Sequence, residues 1–205
     1  MRVCDIANDV PRAEDVIFVD TNIWVFQTYE GATLGLSRNR EAQIDRYQRY
    51  LGRARQVTAT LAIFPTVLLE MANVIERYEY EHACREDGVE AWSAGHLLKH
   101  YRQREPFRRT VAHAVASAWA ETSSRTICFD NTLGADDCFN AGMEAEAAAI
   151  GISDAVHLQL VQKHGCSCIL SDDIDFVDPA FDVTLLTRNE RALSKAAELD
   201  VLVRR

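Results

Sequence analysis

The sequence predicts an α/β fold with three layers, in which a central parallel sheet of about five strands lies between two layers of helices. Short apolar runs rich in β-branched residues alternate along the chain with segments of helical periodicity, which is the pattern of βαβ units. The runs are apolar at consecutive positions, as is typical of strands buried on both faces of a parallel sheet. The 205 residues, 48% of them hydrophobic, suit one domain that fills residues 1–205.

The apolar runs and the capping residues place the elements in chain order. The first strand is expected at 16–19, and Ser37 is expected to cap a helix over about 38–56. A second strand at 61–64 leads to Pro65, which suits the first turn of a helix running to about 86, because that turn needs no proline N–H. The remaining predictions are a strand at 125–129, helices at 136–149 and 154–164, strands at 167–170 and 183–186, and a helix at 188–199.

The stretch at about 77–124 is too long for a single crossover between strands. Its pattern stays helical from about 89 to 123, so we expect extra helices there. No internal repeat or low-complexity linker separates this stretch from the rest. We therefore interpret it as a helical elaboration of the one domain.

Acidic side chains follow several of the predicted strands. Asp20 comes directly after the first strand, with Asn22 two residues on, and Glu70 lies in the first turns of the helix after the second strand. Asp154 begins the helix that precedes the fourth strand, and residues 171–175, Ser-Asp-Asp-Ile-Asp, follow that strand. Because open parallel sheets bind ligands beyond the C-terminal ends of their strands, we expect these acids to meet at one edge of the sheet.

Carboxylates that meet at one edge repel each other, and a bound cation relieves that repulsion. Mg²⁺ and Mn²⁺ prefer oxygen ligands, and such a metal lowers the pKa of a bound water and neutralises charge on a phosphodiester. Each acid taken alone also suits a turn or a helix terminus. Glu70 is more telling, since a carboxylate beside Val67, Leu69 and Met71 is costly to bury without a partner. The acids taken together predict a metal site.

Four segments together resemble the PIN domain family. They are Asp20-Thr21-Asn22, Pro-Thr-Val-Leu-Leu-Glu at 65–70, Ile-Ser-Asp-Ala-Val at 152–156, and Leu-Ser-Asp-Asp-Ile-Asp-Phe at 170–176, with serine at 171 where the family usually has threonine. The resemblance spans roughly residues 16–187 and implies a metal-dependent ribonuclease, often the toxin of a toxin–antitoxin pair. The chain is longer than the compact toxin-like members, chiefly between Ile75 and Arg125.

The resemblance also implies roles for particular residues. The acidic quartet that holds Mg²⁺ or Mn²⁺ and supports catalysis would be Asp20, Glu70, Asp154 and Asp173, with Asp175 as a further carboxylate near the metal and Asn22 and Ser171 in support. RNA would be the substrate, and an antitoxin protein and a second copy of the chain would be partners. The alternative is a PIN-like module that binds RNA or a protein without cutting. His157, one turn after Asp154, is expected to pack in the core or lie at the surface rather than reach the site.

The formal net charge of −9 hides two regions of opposite sign. Residues 36–125 carry 14 basic and 11 acidic residues, a balance of +3, whereas the rest of the chain carries −12. The basic region therefore offers candidate contacts for RNA phosphates. Solvated helix faces are an equally good interpretation of the same residues. The candidate RNA-binding residues are Arg38, Arg40, Arg46, Arg49, Arg102, Arg104, Arg108 and Arg109.

Other classes of protein fit the sequence less well. A haloacid-dehalogenase-like phosphotransferase needs an aspartate where Asn22 stands, and a receiver domain needs a lysine after a late strand, where none occurs. Neither G-x-x-x-x-G-K-[ST] nor G-x-G-x-x-G is present. No uninterrupted stretch of about 20 apolar residues and no secretory signal is visible, and the six cysteines are scattered. We therefore expect a cytoplasmic protein with reduced thiols and no membrane partner.

Overall fold

The computed structural model describes residues 1–93, 97–177 and 181–205, and its centre is one sheet of seven parallel strands. The strand order is β4–β3–β2–β5–β6–β1–β7. The predicted α/β fold with a parallel sheet is confirmed, and the arrangement is consistent with three layers. The strands are β1 (Arg2–Asp5), β2 (Val16–Val19), β3 (Thr60–Ile63), β4 (Ile127–Cys128), β5 (Cys168–Leu170), β6 (Thr184–Thr187) and β7 (Leu202–Val203).

The expected count of five strands was too low, because β1 and β7 were not predicted. β1 pairs with β6, and β7 pairs with β1, so both strands extend the same side of the sheet. β1 has only Val3 and Cys4 between Arg2 and Asp5, and β7 is two residues long. Such short segments carry too little periodicity to be separated from loops in a sequence.

Helices fill the connections between the strands. The expected starts of two of them are confirmed: Ser37 caps one helix by accepting a hydrogen bond from the Arg40 N–H, and Pro65 begins the next. The helix predicted at 154–164 begins two residues earlier, at Ile152, with Gly151 as its N-cap. The helices are α1 (Thr21–Thr28), α2 (Arg38–Gln56), α3 (Pro65–Glu86), α4 (Leu98–Tyr101), α5 (Glu105–Ser123), α6 (Ala135–Ala148), α7 (Ile152–Lys163) and α8 (Glu190–Glu198), with a 3₁₀ turn at Glu30–Thr33.

The central pair of strands, β2 and β5, is fully enclosed. Ile17, Phe18 and Val19 in β2 and Ile169 and Leu170 in β5 have no exposed surface. Consecutive burial means that helices cover both faces of the sheet at this point, which explains the unbroken apolar runs. The pairing of Val19 with Leu170 places the C-terminal ends of these two strands next to each other.

The described part of the stretch between 77 and 124 forms the end of α3, α4 and α5. Tyr80, Cys84, Tyr101 and Phe107 make a small apolar cluster separate from the main core, with the rings of Tyr80 and Tyr101 5.1 Å apart. The later part of α5 returns to the main core through Ala118. The added helices are therefore tied to the sheet domain at one end and to a core of their own at the other.

Arg205 joins two buried carboxylates. Its guanidinium forms ion pairs with Asp9 at 3.0 Å and with Asp15 at 2.8 Å, and Asp9 also accepts a hydrogen bond from the Tyr50 hydroxyl. Burial opposes ionisation of Asp9, but the hydrogen bonds from Arg205 and Tyr50 hold the pKa of its carboxyl below the ordinary value. One guanidinium thus provides a cationic partner for both buried carboxylates.

Within the described ranges, none of the helices has the length and apolar character needed to cross a membrane.

Candidate functional site

Asp20 and Ser171 lie side by side because β2 and β5 are neighbours. Val19 pairs with Leu170 in the sheet, and the backbone N–H of Asp20 continues the ladder by donating to the Leu170 carbonyl at 3.0 Å. The Ser171 hydroxyl donates to Asp20 Oδ2 at 2.7 Å, and only 4% of Asp20 is exposed. The first predicted carboxylate is therefore buried at the C-terminal edge of the sheet and held by the neighbouring strand.

Glu70 reaches the same edge from the next strand. β3 lies beside β2, and α3 begins two residues after β3 ends, so the first turns of α3 stand above the end of β2. The Thr21 hydroxyl, directly after Asp20, donates a short hydrogen bond to Glu70 Oε2. Burial raises the pKa of the Glu70 carboxyl above its ordinary value, although the Thr21 hydrogen bond works against that.

Asp154 projects from the first turn of α7. Its carboxylate accepts a hydrogen bond from the Gly151 backbone N–H, and a Cβ atom at position 151 would lie only 2.7 Å from Asp154 Oδ2. Glycine at this N-cap therefore leaves the space that the carboxylate occupies. Burial and the charges of Asp173, Glu70 and Asp175 raise the pKa of Asp154 to about 7.

Ser171 organises the acidic segment that follows β5. Its Oγ accepts a hydrogen bond from the Asp173 N–H at 2.9 Å while its hydroxyl donates to Asp20. Asp173 Oδ1 accepts in turn from the Asp175 N–H at 2.9 Å. Asp173 is half-buried and Asp175 is exposed, so the segment runs from the buried end of the site to its rim.

The carboxylates of this edge act on one another electrostatically. Burial, together with the charges of Glu70 and Asp154, raises the pKa of Asp20 to about 7 despite the Ser171 hydrogen bond. The leading charge effects on both Asp20 and Asp154 come from other carboxylates. Like charges held this close favour a bound proton or a bound cation.

His157 is closer to the site than the sequence led us to expect. The side chain is fully buried, its ring packs 5.0 Å from that of Phe18, and its Nε2 lies 2.9 Å from Thr66 Oγ1 in a hydrogen bond. Nε2 is also 3.9 Å from Glu70 Oε2. Burial lowers the pKa of His157 to about 4, so the imidazole is neutral near pH 7. The prediction that His157 packs in the core is confirmed. Its spacing of one helical turn from Asp154 is the feature of the sequence that indicates its nearness to the acids.

One nitrogen and two carboxylate groups come together in the buried half of the site. Candidate ligand atoms of Asp20, Glu70 and His157 all lie within 4.8 Å of one another. Three converging oxygen and nitrogen donors of this kind suit a divalent cation.

Asn22 and Asp172, which are close in sequence to the acids of the site, have different surroundings. Asn22 is half-buried in the first turn of α1. Asp172, although adjacent to Asp173 in the chain, forms an ion pair with Arg40 and accepts hydrogen bonds from Gln43 and Tyr47. Its charge is thus compensated on the side facing α2.

The arginines predicted to bind RNA occupy different settings. Four of them form ion pairs with nearby acids: Arg40 with Asp172, Arg102 with Glu76, Arg104 with Asp87, and Arg109 with Glu105. Arg108 donates to two backbone carbonyls at 2.9–3.0 Å. The other three, Arg38, Arg46 and Arg49, are exposed on α2. The exposed group on α2 is the one with the most charge available to a ligand.

Fold and site together define a class: a parallel α/β protein with a partly buried carboxylate cluster at the C-terminal edge of its sheet. The sequence matches no protein-family model, and no curated protein is significantly similar to it.

Proposed function

We propose that the protein is a divalent-cation-dependent ribonuclease that hydrolyses phosphodiester bonds. The observation that carries the proposal is the burial of Asp20, directly after β2, with the carboxylates of Glu70 from α3 and Asp154 from α7 acting on it at the C-terminal edge of the sheet. Burying carboxylates that repel one another costs free energy. A bound cation offsets that cost, so such a cluster indicates a site that binds a cation.

The donor set fits a divalent cation such as Mg²⁺ or Mn²⁺. The residues that would hold it are Asp20, Glu70, Asp154 and Asp173, with Asp175 at the exposed rim. All five offer carboxylate oxygens, which hard divalent cations prefer. The nearby nitrogen of His157 suits Mn²⁺ better than Mg²⁺. When bound, such a cation activates water and offsets charge on a phosphodiester.

The surrounding residues hold these carboxylates in place. The Ser171 hydroxyl donates to the Asp20 carboxylate, and the Thr21 hydroxyl donates to the Glu70 carboxylate. Ser171 Oγ also accepts from the backbone N–H of Asp173 and so positions that residue. The donors that surround the acids are hydroxyls and backbone N–H groups, which orient a carboxylate without cancelling its charge. The negative charge of the site therefore remains available to a cation.

RNA is supported as the substrate by the basic middle of the chain. Residues 36–125 balance at +3 in an otherwise acidic protein, and five arginines of α2 are exposed: Arg38, Arg46, Arg49, Arg53 and Arg55. Positive charge next to a metal site suits a polyanionic strand. The antitoxin protein and the homodimer stay predictions of the PIN resemblance.

The test is cleavage of a labelled single-stranded RNA by the full chain with Mg²⁺ or Mn²⁺ and with EDTA. We expect cleavage with either metal, none with EDTA, and a loss of at least about 100-fold in Asp20→Asn, the order of effect seen when a principal electrostatic group is removed from an active site. Asp45→Asn is the matched control, because Asp45 is exposed on α2.

Two outcomes would contradict the proposal. Equal cleavage by the wild type and Asp20→Asn would place the activity elsewhere or in a contaminant. Metal binding with no cleavage of any RNA would favour the non-catalytic binding module.

A further inference from the structure

A second polar site lies on the α2 side of the acidic segment that follows β5. It is a cleft of about 480 Å³ between the N-terminal turns of α2 and α8. Four arginines line it, Arg40, Arg46, Arg188 and Arg191, and Glu190 is the only acid among its lining residues. The sequence names Arg40 and Arg46 as candidate RNA contacts, but it does not single out Arg188 or Arg191, and the proposed chemistry does not use the cleft.

The four arginines differ in how much of their charge is already compensated. Arg40 is paired with Asp172. Arg188 has only a long contact of 3.4 Å with Asp5, and its Nε is buried without a hydrogen-bond partner. Arg46 and Arg191 are exposed and form no ion pair with any described residue. Positive charge is therefore available at this cleft.

The backbone adds to that charge. The cleft is lined by the first residues of α2, which has 19 residues, and of α8, which has 9. Helix N-termini carry partial positive charge and favour anions. Guanidinium groups present forked N–H donors that match phosphate oxygens. The combination suits a phosphate group better than a carboxylate alone or a neutral ligand.

Asp172 connects the cleft to the carboxylate cluster, because it contacts residues that line the cleft. The Asn189 side-chain amide donates to the Asp172 carbonyl at 2.6 Å, and the Asp172 side chain is held by Arg40. The next residue, Asp173, faces the carboxylate cluster, and consecutive Cα atoms are only about 3.8 Å apart. A strand with one phosphodiester at the carboxylates would thus pass the cleft with its neighbouring nucleotides.

We propose that this cleft binds phosphate groups of the RNA strand on nucleotides next to the bond that the carboxylate site hydrolyses. That the cleft binds phosphate groups is inferred from the residues that line it. That these phosphates lie next to a hydrolysed bond rests on the proposed function. Arg46, Arg188 and Arg191 bind the phosphates, and Arg40 holds Asp172 in place through their ion pair.

The test measures binding without cleavage. A fluorescently labelled single-stranded RNA is titrated with the full chain in EDTA, over about 50 to 200 mM salt, the range in which phosphate contacts change affinity most visibly. The variant is Arg46→Gln combined with Arg191→Gln, since neither side chain takes part in an ion pair with a described residue. The matched control is Arg55→Gln, which removes an exposed arginine nine residues further along α2, about 13 Å away.

We expect the double variant to bind at least about tenfold more weakly at 100 mM salt, and its slope of log affinity against log salt to fall by about 1.4, because each lost phosphate contact on a single strand contributes about 0.7. Arg55→Gln should stay within about twofold of the wild type.

Three results would overturn the inference. The first is an equal loss in Arg55→Gln, which would indicate a diffuse charge effect. The second is an oligonucleotide that binds no more tightly than inorganic phosphate or a mononucleotide, which would make the cleft a single-phosphate site. The third is no RNA binding by the wild type, which would leave an acidic protein surface as the better partner. Binding through the cleft without metal-dependent cleavage would support the cleft and refute the nuclease, so the two proposals fail separately.

Discussion

Replacing Asp20 with asparagine measures how much the buried carboxylate lowers the free energy of unfolding of the metal-free protein. Burial and the charges of Glu70 and Asp154 raise its pKa from the ordinary 3.8 to about 7. Each pH unit between those values corresponds to about 1.4 kcal/mol, so keeping this group in the folded state costs roughly 4 kcal/mol above pH 7. Asparagine has the same shape and no charge. We expect Asp20→Asn to stabilise the metal-free protein by about 2 to 4 kcal/mol at pH 8, allowing for an imperfectly paired amide.

The sign of the pH dependence follows from the raised pKa. Below about pH 3 Asp20 is mostly protonated in both the folded and the unfolded chain, so the variant gains little. As the pH rises toward 7 the unfolded chain ionises first, and the wild type loses stability relative to the variant. The difference in free energy of unfolding between Asp20→Asn and the wild type should widen by about 2 to 3 kcal/mol between pH 5 and pH 7 and then level off.

The assay is urea unfolding followed by fluorescence, in EDTA, at several pH values. Asp45→Asn is the control. Because Asp45 is exposed, the difference in free energy of unfolding between this variant and the wild type should not change with pH. A gap between the wild type and Asp20→Asn that does not change from pH 5 to pH 8 would refute the electrostatic account. Adding Mn²⁺ at 100 times the wild-type Kd should stabilise the wild type by about 2.7 kcal/mol, and it should stabilise an Asp20→Asn variant that binds at least about tenfold more weakly by at most about 1.4 kcal/mol.

Two further substitutions separate the site from the scaffold. Gly151→Ala places a methyl group only 2.7 Å from Asp154 Oδ2 and forces that oxygen to shift, so we expect metal affinity to fall about tenfold while unfolding by urea changes little. Unchanged affinity would contradict the role given to this glycine. Arg205→Met leaves the buried carboxylates of Asp9 and Asp15 without their cation, so urea unfolding should show a loss of about 3 to 5 kcal/mol, and a loss below about 1 kcal/mol would refute the pairing.

The parts of the fold that the sequence predicts are those with long or strongly patterned segments. The consecutive apolar residues of β2 reflect burial on both faces, and Pro65 and Ser37 mark helix starts through backbone chemistry that is local. β1 and β7 depend on pairing with β6 and with each other, which no local pattern encodes. That is why the edge of the sheet beyond β6 was missed.

The candidate site divides in the same way. Asp20, Glu70 and Asp154 could be assigned to one edge because parallel strands end at the same edge of a sheet. The sequence could not show that Asp172 faces α2 while Asp173 faces the carboxylate cluster. That difference depends on Arg40, which lies in α2, 132 residues before Asp172 in the chain. The nearness of His157 to Glu70 likewise depends on how α7 packs against α3 and β2.

The central claim is that the carboxylates at the sheet edge form a site for a divalent cation, and a calorimetric titration with Mn²⁺ tests it most directly. The full chain should bind Mn²⁺ with a Kd below about 1 mM, or about −4 kcal/mol of binding free energy. Asp20→Asn should bind at least about tenfold more weakly, and Asp45→Asn should match the wild type. Equal binding by the wild type and Asp20→Asn, or no binding by either, would contradict the claim.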